Sequence, residues 1–239
     1  MTPEKTVSYN LDGRVATIRI DDGKRNALPP QVIKAIYAAI DRAEADRAAI
    51  IITGRAGVLS AGFDLNVMKR GGSEALKMLS LGYGLPARIL AYPHPVVIAC
   101  NGHCFAMGVF MMLSADYVIG SRGEFRISAN EVAIGLTMPR VAAAMLRHRL
   151  APAAYQRAVT LSEEFSPEAA LNAGFFDEIV ETNTLHSSAT ECAERFLGLD
   201  NRAHRVSKRR IRKRLIRQLR IDRPLDLWDA LMTGLRRMH

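Results

Sequence analysis

An α/β layered fold with a helical C-terminal third is what this sequence predicts, on three observations. Short apolar runs alternate with helix-periodic segments through the first 120 residues, one apolar run behind Asn101-Gly102 reads as a helix without a polar side, and strand signals nearly vanish beyond residue 140. A chain of 239 residues, 49% hydrophobic and 24% charged, can bury one sizeable core and falls in the size range of single α/β domains. This composition argues against disorder. The longest apolar run, Cys104 to Ala115, is too short to cross a bilayer, so no membrane association is expected.

In chain order, Val15–Ile20 alternates like a strand, Asp21-Asp-Gly23 is a turn, and Pro30 to Ala45 has helical periodicity that turns Ile33, Ile36, Tyr37 and Ile40 inward. Ala49–Thr53 is a short buried strand, followed by a glycine-rich loop from Gly54 to Gly62 and by Phe63-Asp64-Leu65. Ser73 to Leu90 reads as helix, Val96 to Cys100 as the third strand and Tyr117 to Gly120 as the next. Between those two strands lies the all-apolar helix, and its first turn near Ala106 to Gly108 carries N–H groups with no acceptor in their own helix. Such donors, at the positive end of a helix inside a dry interior, suit a negative oxygen. The last third is expected to be helical, broken at Pro152, Ser166-Pro167, Gly174 and Pro224. Residues 1–190 are taken as the core and 191–239 as a C-terminal helical segment.

Net charge is +9, concentrated between Arg205 and Arg220, where Arg205, Lys208, Arg209, Arg210, Arg212, Lys213, Arg214, Arg217 and Arg220 have no acid among them. Ile211, Leu215, Ile216 and Leu219 at helical spacing make this a docked amphipathic helix rather than a free tail. Its basic side is a solvated face, a surface for a phosphate-bearing ligand or acidic partner, or a nucleic-acid patch. Nucleic acid is the least favoured, because no aromatic interleaving or recognisable motif accompanies the charge. Cys100, Cys104 and Cys192 have neither zinc nor redox spacing, and the polar first residues show no secretory signal, so a cytoplasmic location is expected.

Several familiar motifs fail on context. Gly82-Tyr-Gly84-Leu-Pro86-Ala87 follows a helix rather than a strand, with Pro86 where a dinucleotide-binding helix should open. Gly54 to Gly62 lacks the Gly-Lys-Ser/Thr of a P-loop, Ser60 lacks the preceding glycine of a nucleophile elbow, and no two histidines have metal spacing. His103, beside the Asn-Gly turn, reads as a loop or packing residue. What remains is Ser60-Ala61-Gly62-Phe63-Asp64, whose small residues let backbone approach a ligand and whose Asp64 can cap the next helical turn, together with the helix start at Met107-Gly108. Then comes Asn130-Glu131, an acid among apolar residues with Gly135 four positions on and Pro139 beyond. A carboxyl there loses solvation, its pKa rises, and it becomes a proton carrier near neutral pH. A capping or ion-paired glutamate is the plainer alternative.

Asn101-Gly102 with Met107-Gly108 and Asp116 after Pro95-Val-Val-Ile-Ala, joined by Ser60 to Asp64 and by Asn130-Glu131 through Gly135 and Pro139, resembles the crotonase, or enoyl-CoA hydratase/isomerase, superfamily. The likeness runs from about residue 10 to 210, with three motifs in order. It implies a spiral of ββα turns with C-terminal helices, a homotrimer or dimer of trimers, and acyl-CoA thioesters of fatty acid metabolism as substrates. No cofactor is implied, since CoA is part of the substrate. By the family's pattern, the backbone N–H groups of Phe63 and Met107 form an oxyanion hole. Lys24, Arg25, Asn26, Ala27 and Leu28 run along the CoA, which the basic C-terminal helix meets at its phosphates, and Ala61, Gly62, Asp64, Leu65, Gly108, Phe110, Asn130 and Gly135 complete the substrate site. Family hydratases, which are lyases, place two glutamates around a water. The second corresponds to Glu131, but the first falls on Phe110. A single glutamate fits the family's isomerases, which move the double bond of a 3-enoyl-CoA to a 2-enoyl-CoA. A hydratase using Asp64 or Glu124 as its second acid, or an acyl-CoA-binding relative without catalysis, are the alternatives.

Overall fold

The computed structural model describes residues 6–236. A six-stranded sheet runs β1-β2-β4-β7-β9-β11, made of β1 (Val7–Asp12), β2 (Val15–Ile20), β4 (Ala49–Thr53), β7 (Val96–Cys100), β9 (Tyr117–Ser121) and β11 (Glu178–Val180). Only β1 and β2 pair antiparallel; the other neighbours are parallel. A second, parallel sheet orders β10 (Ile127–Ser128), β8 (Gly102–Phe105) and β5 (Gly57–Ser60), while β3 (Ala27–Leu28) pairs with β6 (Gly62–Phe63). Successive turns of chain each give one strand to the large sheet and one to a small sheet before a helix. β2 and β3 lead to α1 (Pro30–Ala45), and β4 and β5, with β6, lead to α2 (Leu65–Arg70) and α3 (Gly72–Leu90). β7 and β8 lead to α4 (Met107–Met112), and β9 and β10 lead to α5 (Arg140–Arg149). The expected spiral of ββα turns is therefore the observed order.

The strands are near-continuous apolar runs because the large sheet is covered on both faces. Ile50 and Ile52 of β4 and Val96, Ile98 and Cys100 of β7 face the main core with Ile33, Ile36 and Ile40 of α1. The alternate residues Ala49, Ile51, Val97 and Ala99 meet Leu185, Ala189, Cys192 and Ala193 of α8 (Leu185–Leu197). Tyr37 is only half-buried, and its hydroxyl donates to Leu81 O at 3.1 Å.

The helical third contains α6 (Pro152–Leu161), α7 (Pro167–Ala173), α8 and α9 (Asn201–Arg236). Pro152 and Pro167 open α6 and α7, Ser166 caps α7 by accepting from Ala169 N, and Gly174 closes it at φ 96°. Pro224, expected to break the chain, lies inside the continuous α9. The boundary drawn between 190 and 191 falls within α8, and the chain next leaves helix between Leu197 and Asn201. The glycine-rich stretch from Gly54 to Gly62 is no open loop, since it holds β5 and is clamped by Asn101, whose side chain accepts from Gly54 N and donates to Gly54 O and Arg55 O.

α9 docks, as its apolar spacing implied, through Leu215, Ile216 and Leu219, but Ile211 lies off that face and Lys208 and Arg212 take its place. Ile211 is 74% exposed, whereas Lys208 and Arg212 are buried against Asp116. Lys208 Nζ lies 2.6 Å from Asp116 Oδ2 and Arg212 Nη1 2.9 Å from Oδ1; His94 O also accepts from Lys208, and Leu90 O and Ala115 O from Arg212, whose Nε is left without a partner. Burial outweighs the attraction of Asp116 and brings Lys208 down to about 8. Leu215 and Ile216 pack on the core and Leu219 is buried in it, while Arg205, Arg209, Arg210, Lys213, Arg214, Arg217 and Arg220 stay on the solvent side.

Candidate active site

The helix start predicted from the apolar run is α4. All six of its residues are buried, so this is the all-round apolar helix that the sequence implied, though only six residues long. The N–H groups of Val109 and Phe110 both bond Ala106 O, and helix geometry leaves those of Met107 and Gly108 with no carbonyl of their own helix. Ala106 enters the helix at φ 48°, ψ −123°, a conformation that strains a residue with a Cβ.

β6 lies against this turn. Gly62 adopts φ +82°, and a Cβ placed there would stand 2.8 Å from Ala106 Cβ, 3.0 Å from Phe105 O and 3.2 Å from Met107 N. Only glycine lets the strand carrying Phe63 come this close to the start of α4. Ser60 serves the same approach: its Oγ donates to Asn26 O at 2.8 Å and accepts from Gly62 N at 3.1 Å, so the hydroxyl is structural. Gly62→Ala is expected to keep the fold but push the two backbones apart. It should lower turnover far more than thermal stability, as steady-state kinetics beside a melting curve would show.

Asn26, fully buried at φ 52°, donates to Ile20 O, Val58 O and Leu59 O, which fixes the Lys24 to Leu28 segment beside β5. Lys24, Arg25 and Ala61 line a groove of about 1020 Å³ with Arg55, His103 and Phe125. Leu28 is in the core and Ala27 pairs with Gly62, so these two hold backbone rather than face the groove. Asp64 accepts from Asn66 N at 2.8 Å and Val67 N at 3.3 Å, the expected cap on α2, and Leu65 begins that helix with an exposed side chain. His103 packs between Phe105 and Phe125, its Nδ1 accepting from Arg126 N, as a packing residue would.

Glu131 is 6% exposed, opens a 3-10 turn over Val132–Ile134 and is closed off by Gly135 at φ 78°. Its Oε2 is buried without a hydrogen-bond partner, and so is Oδ1 of Asn130. This is neither a cap nor an ion pair. Loss of solvation raises the Glu131 carboxyl to about 7, against a weaker opposing pull from its own backbone N–H. Phe110, one turn into α4, is 1% exposed and offers no proton or lone pair.

The pH dependence has two opposite signs. A base must be ionised to work, so kcat/KM on a substrate is expected to rise through about pH 7 and level off above it. For stability, the folded carboxyl binds a proton more tightly than the unfolded one at 4.5, so stability is lost as pH rises from about 4.5 through about 7. Thermal melts across that range would check the second sign, and Glu131→Gln is expected to flatten the slope.

Sequence reasoning missed Asp226 of α9, whose carboxylate accepts from Arg140 N at 3.0 Å and Val141 N at 2.9 Å and so caps α5 just beyond the Glu131 turn. Nothing local marks it, since the cap and the helix are 85 residues apart. Among the described residues, no group of three His, Cys, Asp or Glu is placed to hold a metal ion.

A family model described as enoyl-CoA hydratase/isomerase matches residues 11–227. The chain belongs to the enoyl-CoA hydratase/isomerase family. An enoyl-CoA hydratase/isomerase family protein from Pseudomonas syringae superposes with a TM-score of 0.92 at 41% identity, covering 95% of this chain and 98% of the other. An enoyl-CoA hydratase from Mycobacterium marinum does so with a TM-score of 0.89 at 42% identity, covering 92% and 97%. Human mitochondrial enoyl-CoA delta isomerase 1 is 26% identical over 89% of this chain and 72% of its own length. The fold is the crotonase fold, and the protein is an enzyme of the hydratase/isomerase type. The relatives' names divide between the two reactions.

Proposed function

We propose that this family member is an enoyl-CoA isomerase that converts a 3-enoyl-CoA to a 2-enoyl-CoA, with Glu131 as its single proton carrier. The observation that carries the reading is the buried carboxyl of Glu131, whose Oε2 has no hydrogen-bond partner, while the position that matches a hydratase's other acid is held by the buried Phe110. Neither alternative acid favours hydration. Asp64 is occupied in capping α2, and Glu124 is exposed in the groove with Lys24 and Arg25.

In this mechanism the thioester oxygen accepts from Phe63 N–H and Met107 N–H, and the Glu131 carboxylate removes a proton from C2. The electron pair of that C–H bond delocalises into a dienolate whose charge rests on the thioester oxygen and is held by those two amides. The double bond re-forms between C2 and C3, and the same carboxyl returns the proton to C4. Ala61, Gly62 and Gly108 supply the close backbone approach, while Leu65, Asn130 and Gly135 border the acyl group. Lys24, Arg25 and Arg55 offer positive charge to the CoA phosphates along the groove. No cofactor enters the proton transfer, and a cytoplasmic setting fits three free, buried cysteines. A homotrimer or dimer of trimers is the assembly we propose, in keeping with Ile221, Leu225 and Trp228 exposed along α9.

The test is to incubate the purified protein with 3-enoyl- and 2-enoyl-CoA esters of several chain lengths and weigh the products. Isomerisation of the 3-enoyl ester without change in mass is expected. Faster gain of one water by the 2-enoyl ester would make the enzyme a hydratase, and binding without turnover would make it a non-catalytic relative.

A further inference from the structure

Tyr83 on α3 carries a polar atom that the proton transfer leaves unused. The residue is 7% exposed, and its ring meets the Phe63 ring edge-on at 5.7 Å and 75°. At Gly82 beside it, a Cβ would collide with the Phe63 ring and lie 3.6 Å from Met107 Sδ. The Gly82-Tyr83 step of α3 thus sits against both residues whose amides face the thioester oxygen in the proposed mechanism.

The buried Tyr92 and the half-buried Tyr37 satisfy their hydroxyls: Tyr92 donates to Ala48 O at 2.7 Å and Tyr37 to Leu81 O at 3.1 Å. The Tyr83 hydroxyl has no hydrogen-bond partner among the described residues, yet unlike Glu131 Oε2 it is not sealed from solvent, so this donor is open to whatever occupies the space beside it. Burial, then the charges of Asp226 and Glu131, oppose its ionisation, so it remains a neutral donor on the Glu131 side. Asp226 is committed to Arg140 and Val141. Glu131 Oε2 and Asn130 Oδ1 are also unpaired. The Tyr83 donor therefore stands open beside Phe63 and Met107, where a plain hydrocarbon would leave it unpaired, while Glu131 Oε2 and Asn130 Oδ1 are sealed from solvent.

We propose that Tyr83 is a specificity-determining residue that donates a hydrogen bond to an oxygen on the acyl chain, so that the site selects oxygen-bearing acyl-CoA esters over plain alkyl ones. The inference rests on the acyl-CoA reading of the site. A hydroxyl substituent suits it, because its oxygen accepts from Tyr83. Sites built to bond a substrate hydroxyl discriminate strongly against the analogue without one, since their own polar groups are then left bare.

The experiment compares kcat/KM for two 3-enoyl-CoA esters of equal length, with and without a hydroxyl beyond the double bond, in the parent protein and in Tyr83→Phe. The phenyl ring keeps the contact with Phe63, and a melting curve checks the fold. The parent is expected to prefer the hydroxylated ester, and Tyr83→Phe to reduce that preference at least about 10-fold. An unchanged preference, or equal loss on both esters, as from a lost water or altered packing, overturns the proposal. If the parent turns over neither ester, the isomerase reading fails on its own. Dissociation constants of the matching unreactive thioether analogues then decide: selective weakening of the hydroxylated one in Tyr83→Phe supports the proposal, and equal or no weakening overturns it.

Discussion

Glu131→Gln is expected to lower kcat for isomerisation by roughly 100- to 10,000-fold while leaving the affinity for acyl-CoA nearly intact, the range associated with a positioned general base. The amide is nearly isosteric with the carboxyl, and Oε2 makes no hydrogen bond in the protein, so nothing structural depends on its charge. The effect is expected in the chemical step alone: the proposed oxyanion donors are backbone N–H groups of Phe63 and Met107, and the groove at Lys24 and Arg25 is untouched. A burial-raised carboxyl near 7 is also the group expected to set the acid limb of the activity profile. Steady-state rates beside calorimetric affinities separate the two quantities. A variant as active as the parent would remove Glu131 from the mechanism.

The second large effect lies far from the chemistry. Asp116→Asn is expected to cost about 3–5 kcal/mol, because it leaves Lys208 and Arg212 buried with no counter-charge. Asp116 also accepts from Val96 N at 2.8 Å, tying β7 to α9. Without it, the helix should loosen from the rest of the fold. Urea unfolding followed by circular dichroism would measure the loss. Replacing all three charged residues with apolar ones of similar size is expected to restore most of it, since a buried ion pair tends to break even against good apolar packing. Equal stability of Asp116→Asn and the parent would mean that α9 is held by its apolar contacts alone.

How far the sequence could be read follows from where physics leaves a local mark. β2, β4, β7 and β9 were legible because buried parallel strands are apolar runs between turns, and α1 because its apolar positions repeat at helical spacing. β1 was not, since five of its six residues are partly or fully exposed at the sheet edge and show no alternation. β8, β10 and β11 are two to four residues long and take their form from neighbours rather than from propensity. At the site, Asp64 as a cap, the buried start of α4 and the isolation of Glu131 each follow from adjacent residues. Asp226 and Tyr83 belong to the site only through long-range packing, and a block of basic residues gave no sign that Lys208 and Arg212 turn inward to meet Asp116.

The distances from Glu131 Oε2 to carbons 2 and 4 of the acyl chain, in a crystal structure with an unreactive 3-enoyl-CoA analogue, test the single-glutamate mechanism most directly. Both are expected within about 3–3.5 Å, the reach of a near-attack geometry, with the thioester oxygen on the amides of Phe63 and Met107. A second carboxylate within reach of C3, holding a water there, or a thioester oxygen bound elsewhere, would contradict it.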